Sequence, residues 1–303
     1  MKICVTGANG FIGSKVIEQL KEKYDIVALN RKHSEIMGNV TYIKTDYSYE
    51  ELIHTLKGCN AILHLAAQKV VPYEPEGLNH YLRNIEILQN VIHAAKHLNI
   101  KNITTISSRC VYGYYTDTMF SEQDNLNPIN FYGVEKIMEE QLCLYCNSKY
   151  NLNIKVIRLS QVISDDISDT NLFTAFIKKA LSGSDIGLVG DGSLVRDYIY
   201  IKDVVRILER IVLSNHIGIF NLGSSNTMSV FDIATKVINY TKSISKISFI
   251  ESSTNVSDRI VLDIDKLKKD FDIEPNYNVD LIIKDLCDQN IDWFAYDGKM
   301  VRV

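Results

Sequence analysis

Six short apolar runs, at residues 3–6, 26–29, 40–43, 61–65, 103–107 and 154–158, recur through the first half of the chain with segments of helical period between them. Runs of four or five residues without polar alternation suit strands covered by helices on both faces, and strand–helix alternation calls for parallel pairing through crossover helices. The pattern therefore predicts an α/β fold with a doubly wound parallel sheet. Residues 11–23 and 77–98 read as crossover helices. In the second, Leu78, Tyr81, Leu82, Ile85, Leu88, Val91 and Ile92 recur at the spacing of one helical face.

After residue 158 the alternation breaks into SQVISDDISDTN, a helical stretch at 172–181 and the turn-rich GSDIGLVGDGS. The strand-like IFNLG at 219–223 predicts a return to the main sheet, and 230–240 and 279–287 read as helices of a smaller C-terminal part. At 303 residues and 46% hydrophobic, the chain has enough apolar material for one large core or two modest ones. The formal charge of −4 leaves no basic excess for a phosphate backbone, which argues against nucleic-acid binding. No apolar run approaches about 18 residues, so no membrane partner is expected and the cytoplasm is the expected location. The six cysteines are scattered and read as reduced thiols. Cys143 and Cys146 form a CxxC inside a helical segment, without the second pair or histidine that a zinc site needs, and no metal is expected.

The first strand runs straight into Thr6-Gly7-Ala8-Asn9-Gly10-Phe11-Ile12-Gly13. A glycine turn there lets the backbone approach a pyrophosphate, and the free N–H groups and dipole of the following helix stabilise the anion. This is the device of a Rossmann-type dinucleotide site, spaced GxxGxxG in place of the usual GxGxxG. The second strand ends in Asn30-Arg31-Lys32, without the acidic residue that binds a ribose 2′-hydroxyl. Arg31 and Lys32 can pair with a 2′-phosphate, which favours NADP(H) over NAD(H); a solvated basic loop is the alternative.

Tyr132 and Lys136 are four residues apart, on one face of a helix. A free tyrosine has a pKa of about 10, so it works as an acid–base group near neutrality only where a cation stabilises its phenolate. Lys136 supplies one. Ser108 follows the strand at 103–107, at the carboxyl edge of the sheet where such folds bind ligands, and its hydroxyl can hold an oxygen that gains and loses charge.

TGANGFIG, HLAA at 64–67, SSRCVYG, YGVEK and GDGSLVRDYIYIKD at 190–203, in this order, resemble the extended short-chain dehydrogenase/reductase family, also called the NAD-dependent epimerase/dehydratase family. The resemblance spans nearly the whole chain. It implies an NAD(P)-binding Rossmann domain over 1–160, with a returning segment near 198–223, and a smaller, mainly substrate-binding domain over 161–303. It implies catalysis by Ser108, Tyr132 and Lys136. Cofactor contacts follow from Gly7, Gly10, Phe11, Ile12 and Gly13, from Arg31 and Lys32, from Asp46 near the adenine, and from Leu65, Ala66 and Ala67, besides Tyr132 and Lys136. It places Arg196 on a nucleotide diphosphate; Gln161 and Lys69 are further substrate-binding candidates, Lys69 in a position that contacts the cofactor in some epimerases, with a solvent-facing lysine as the alternative. For Arg196 the alternative is a structural ion pair with Asp197 or Asp203. A homodimer through the helices at 77–98 and 130–149 is implied as well.

The departures from the family pattern narrow the activity. Sugar 4,6-dehydratases carry an Asp-Glu pair immediately after the catalytic hydroxyl residue, and here the pair is Arg109-Cys110, which argues against dehydration. Cys110 resembles the base of GDP-fucose synthase, but the histidine partner has no counterpart at 168–176. Gln161 stands where asparagine is usual. The expectation is a 4-ketoreductase of a 4-keto-6-deoxy nucleotide sugar, using NADPH; the alternative is a nucleotide-sugar 4-epimerase. A cofactor-sensing regulatory protein is a third reading, disfavoured by the presence of all three catalytic residues.

Overall fold

The structure, a computed structural model, describes residues 1–68, 78–113, 119–166, 169–225, 227–251, 261–289, 293–296 and 299–302, with the backbone alone for 78–80 and the last two segments. The elements begin β1 (Lys2–Thr6), α1 (Phe11–Leu20), β2 (Asp25–Asn30), β3 (Glu35–Met37), β4 (Val40–Lys44), α2 (Tyr49–Thr55), β5 (Ala61–His64), α3 (Leu78–His97) and β6 (Asn102–Ser108). They continue with α4 (Phe131–Tyr150), β7 (Asn153–Leu159), β8 (Gln161–Ile163), α5 (Leu172–Leu181), β9 (Ile186–Val189), β10 (Val195–Tyr200), α6 (Ile201–Val212) and β11 (Gly218–Leu222). The last are β12 (Thr227–Ser229), α7 (Val230–Thr241), β13 (Ile247–Ile250), α8 (Asp265–Phe271), α9 (Val279–Asp288), β14 (Trp293–Tyr296) and β15 (Lys299–Arg302).

The main sheet has eight strands in the order β11-β7-β6-β5-β1-β2-β4-β3, parallel throughout except for the β3–β4 pair. All six apolar runs are strands of it. The central ones bury both faces: Ile3 and Val5 of β1 join one apolar cluster with α1 and α6, and Cys4 between them joins a second cluster with α2, α3 and α4, whereas in β4, nearer the edge, only Val40 is buried. This two-sided burial is why the strands read as unbroken apolar runs. The chain winds outward through β2 and β4 and then crosses back to β5, so the switch point lies between β1 and β5, where Thr6 is in register with His64. In sheets wound this way the crevice beyond the carboxyl ends of the strands at the switch point is the ligand site.

The segment expected to return to the sheet divides in two. β11 joins the main sheet beside β7, whereas β10 pairs in parallel with β8 and antiparallel with β12 in a separate three-stranded sheet. Between them α6 buries Ile201, Val204, Val205, Ile207, Leu208, Ile211 and Val212, and its Glu209 holds Gln19 of α1 and Lys23 just beyond that helix. The exposed β3 and the seven-residue α2 and α8 carry too little apolar periodicity to be read from sequence.

Lys155 of β7 is fully buried, and its Nζ donates a 2.8 Å hydrogen bond to the Ser214 carbonyl. Burial pulls its pKa down to about 7 from an ordinary value of 10.5. Across that window the unfolded chain binds more protons than the folded one, so this residue's contribution to stability rises with pH between about 7 and 10.5. Lys155→Met is expected to be more stable than the parent at neutral pH, by a margin that shrinks as pH rises through this range. Denaturant unfolding of both proteins at neutral and alkaline pH measures the margin, and a constant or growing one contradicts the assignment.

Candidate active site

The glycine turn is fastened to the sheet by one hydroxyl. Thr6 Oγ1 accepts from the Leu65 and Ala66 amides at 3.0 Å each and lies 2.9 Å from His64 Nδ1. With two amides donating to the oxygen, its own proton is left for His64. That imidazole stays neutral: burial, reinforced by the charge of Lys136, pulls its pKa down to about 3. The close approach depends on glycine, since Gly7 has φ +67° and a Cβ there would lie 2.7 Å from the Leu65 carbonyl. A Cβ on Gly13 would stand 2.3 Å from the Gly7 oxygen, so this glycine packs α1 under the turn. Gly10 is the residue before α1, and Phe11 and Ile12 form its first turn.

Above the turn lies a cavity of about 720 Å³. Of the cofactor residues expected from sequence, Gly7, Gly10, Arg31, Lys32, Asp46, Leu65, Ala66 and Ala67 line it. Phe11, Ile12 and Gly13 support it from α1 and are not among its lining residues. Asn30 occupies the place of the acidic residue, but its side chain is spent on folding the loop: Oδ1 accepts from the amides of Lys32 and His33. Arg31 and Lys32 are exposed at the rim. The Ser48 amide and hydroxyl, in that order, hold the Asp46 carboxyl below its ordinary range, and Arg83 donates to the Asp46 carbonyl at 2.9 Å.

Sequence reasoning missed Tyr47, Arg83, Gln68 and Ile87 in this lining. Tyr47 has the left-handed φ of 64°, and its hydroxyl accepts from the Gly7 amide and donates to the Leu29 carbonyl, both at 3.1 Å. It staples the end of β2 to the glycine turn. Nothing in its sequence neighbourhood signals this, because the contact spans forty residues.

The reactive groups meet at the end of β6. Ser108 is 8% exposed and its Oγ accepts from the Cys110 amide as the chain enters a 3₁₀ turn. Asn130 caps α4 by accepting from the Gly133 amide at 2.8 Å. Gly133 lets α4 press onto the turn after Ser108, since a Cβ there would lie 2.6 Å from the Cys110 carbonyl oxygen. This close packing brings Tyr132 to Ser108. Burial raises the Tyr132 pKa, while the Lys136 charge and then a side-chain hydrogen bond with Ser108 pull it back. Lys136 Nζ stands 5.7 Å from the centre of the Tyr132 ring.

Two carboxylates that the sequence reading did not single out surround Lys136. Its Nζ donates to Glu139 Oε2 at 2.8 Å and lies 3.4 Å from Glu135 Oε1. Burial alone would depress the lysine, but Glu139, Tyr132 and Glu135 together keep it above its ordinary value, so it is charged at neutral pH. Glu135 accepts from Asn84 Nδ2 at 3.0 Å, and burial raises its pKa to about 7.

Gln161 of β8 and Arg196 of β10, expected at the substrate from the sequence, come together, with Arg196 Nη1 3.5 Å from Gln161 Oε1. Arg196 makes no ion pair with either aspartate considered for it. Asp197 accepts from the Ser224 amide and hydroxyl and the Leu262 amide, while Asp203 pairs with Arg206 and accepts from the Asn276 and Tyr277 amides. Lys69 lies outside the described residues.

A glycine cradle thus lies at the switch point of the sheet, and a tyrosine, a serine and a lysine lie at the same sheet edge. The chain belongs to the NAD-dependent epimerase/dehydratase family, part of the extended short-chain dehydrogenases/reductases, whose family model matches residues 3–223. It is 26% identical to an uncharacterised UDP-glucose epimerase of Bacillus subtilis over 91% of this chain and 93% of that one. It is likewise 26% identical to the UDP-glucose 4-epimerase of Lactobacillus helveticus, over 77% and 79% of the two chains. The crystal structure of UDP-N-acetylglucosamine 4-epimerase from Bacillus cereus superposes with a TM-score of 0.82 at 24% identity, covering 94% of this chain and 95% of that one, and shares the fold. The protein is an enzyme of the nucleotide-sugar epimerase/dehydratase type.

Tyr47→Phe removes both hydrogen bonds of the staple and leaves the Gly7 amide without its partner, while the Leu29 carbonyl keeps the Ala8 amide. Dinucleotide affinity is expected to fall roughly five- to tenfold, at a net worth of about 1 kcal/mol for such a pair of bonds. Calorimetric titration with NAD and NADP measures it; affinity equal to that of the parent contradicts a role for the staple.

Proposed function

We propose that this enzyme is a nucleotide-sugar 4-epimerase that acts on UDP-linked sugars with a bound nicotinamide dinucleotide. The observation that carries the reading is Tyr132, set between Ser108 and the buried, charged Lys136 at the carboxyl edge of a sheet whose switch point holds the glycine cradle. The cradle fits a dinucleotide: Gly7 and Gly13 leave the backbone bare where any side chain would collide, and the amino end of α1 faces an anion there. The nicotinamide ring, when bound, supplies hydride-accepting and hydride-donating chemistry at the sugar C4 carbon.

The protein's own residues handle the proton. Tyr132 takes the proton of the C4 hydroxyl and returns it, while Ser108 donates to the same oxygen as its charge changes. Lys136 stabilises the phenolate, and Glu139 fixes the position of its ammonium. Arg196 and Gln161 hold the nucleotide diphosphate, an anion that suits a guanidinium fork, and Lys69 belongs to the same substrate group. In this reading residues 1–160 form the cofactor domain, completed by β11, and most of 161–303 serves the substrate.

The outer faces of α3 and α4 expose Leu82, Phe131, Val134, Met138 and Tyr145, which supports a homodimer through these helices. All six cysteines are free thiols and five are buried, as suits a reducing cytoplasm. No helix among the described residues is long and apolar enough to cross a membrane.

A second reading, a 4-ketoreductase using NADP(H), is favoured by one observation: Arg31 and Lys32 stand at the cavity rim with no carboxylate at the end of β2. The two readings separate on hydride accounting. Incubation with a panel of UDP-sugars, without added cofactor, is expected to convert one of them to its 4-epimer with no net change in nicotinamide absorbance. Stoichiometric loss of NADPH on a 4-keto-6-deoxy nucleotide sugar, with no epimer formed from any saturated sugar, would replace the epimerase by the reductase.

A further inference from the structure

Two arginines, one directly after Ser108 and one on β10, have hydrogen-bonding capacity that the protein does not use up. Arg196 Nε on β10 is buried with no hydrogen-bond partner, and so is Nη1 of Arg109, the residue that follows Ser108. Neither guanidinium forms an ion pair among the described residues. The charge of Arg109 is felt by Asp197 and Tyr198 of β10, which places it on the wall between β6 and the small sheet. Asp197 does not supply the missing partner: its carboxylate is taken up by Ser224 and the Leu262 amide. A buried cationic donor left unpaired is costly, and the cost is recovered when a ligand brings an acceptor.

A nucleotide sugar brings one anion for Arg196, its diphosphate. Arg109 follows directly on Ser108, the residue whose hydroxyl holds the C4 oxygen in this reading. C4 is bonded to C3 and C5, and the carbon attached to C5 is the place in a hexose ring system where a carboxylate is carried. A carboxylate there offers two oxygens to a planar guanidinium fork, the best-matched partner for it. Resting on the nucleotide-sugar reading above, we propose that Arg109 is a specificity-determining residue that binds the carboxylate of the sugar, so that the preferred substrate is a nucleotide-linked uronic acid rather than a neutral hexose. The same charge accounts for the absence of an acidic pair after Ser108: a cation here cannot serve as the proton donor that dehydration requires.

The test is calorimetric titration of the NAD-saturated protein with UDP-glucuronic acid, UDP-glucose and UDP. The parent is expected to bind UDP-glucuronic acid at least about tenfold more tightly than UDP-glucose, the scale of one charge-assisted contact. Arg109→Gln is expected to bring the two within about threefold of each other, and Arg109→Lys to restore part of the preference. A parent that binds the two sugars equally, or prefers UDP-glucose, overturns the proposal without recourse to any variant. An unchanged preference in Arg109→Gln overturns it too, as does an equal loss for UDP and UDP-glucuronic acid, which would move Arg109 to the diphosphate. Failure to bind any of the three would instead overturn the nucleotide-sugar reading on which the proposal stands, whereas binding without discrimination leaves that reading in place.

Discussion

Arg158 of β7 and Glu140 of α4 form a buried bidentate ion pair, Nε to Oε1 at 3.0 Å and Nη2 to Oε2 at 2.8 Å, with exposures of 2% and 0%. The rest of the site hangs on this pair. Ser107, next to Ser108, donates to the same Glu140 carboxylate at 2.6 Å, so α4 is bonded to β6 and β7 at once. Arg158 Nη1 donates to the Tyr112 hydroxyl, which donates to Asn221 of β11, and Asn221 in turn holds the Phe120 and Asp263 carbonyls. The helix that carries Tyr132 and Lys136 thus cannot slide against the strand that carries Ser108 without leaving charged groups buried and unpaired, a loss of about 3–5 kcal/mol.

A second fastening, at Thr6, does for the cofactor cradle what Glu140 does for the catalytic groups. One buried hydroxyl orders the carboxyl ends of β1 and β5, and the Tyr47 staple adds the end of β2. Both fastenings attach to strands of the same sheet, so the glycine cradle and the Ser108–Tyr132–Lys136 group share one framework. The charges above them are arranged in opposition. Burial raises the Tyr132 pKa, Lys136 opposes it, Glu139 and Glu135 hold Lys136 charged, and Glu135 adds negative potential around the phenol.

The strands and the glycine turn were legible in the sequence because two-sided burial leaves an unbroken apolar run and because only glycine fits where Gly7 meets Leu65. Tyr132, Lys136 and Ser108 were legible through their local spacing, and α5 through its periodicity. The pairs that hold them were not. Glu135, Glu139 and Glu140 look like the solvated face of a helix until the topology sets β6, β7 and α3 against α4. Tyr47 and Arg83 reach the cavity only through contacts across dozens of residues. The strand assignment of 195–200 escaped for a related reason, since its partners β8 and β12 are three-residue strands with no pattern of their own.

The central claim is that Tyr132 carries the proton in a site that its neighbours hold rigid whether or not the phenol is present. Tyr132→Phe removes one oxygen with little change in volume, so steady-state turnover of the UDP-sugar converted by the parent, measured beside calorimetric cofactor affinity, tests it most directly. Turnover is predicted to fall about a hundredfold or more with cofactor affinity within about twofold of the parent. A variant that turns over at near the parent rate would contradict the account.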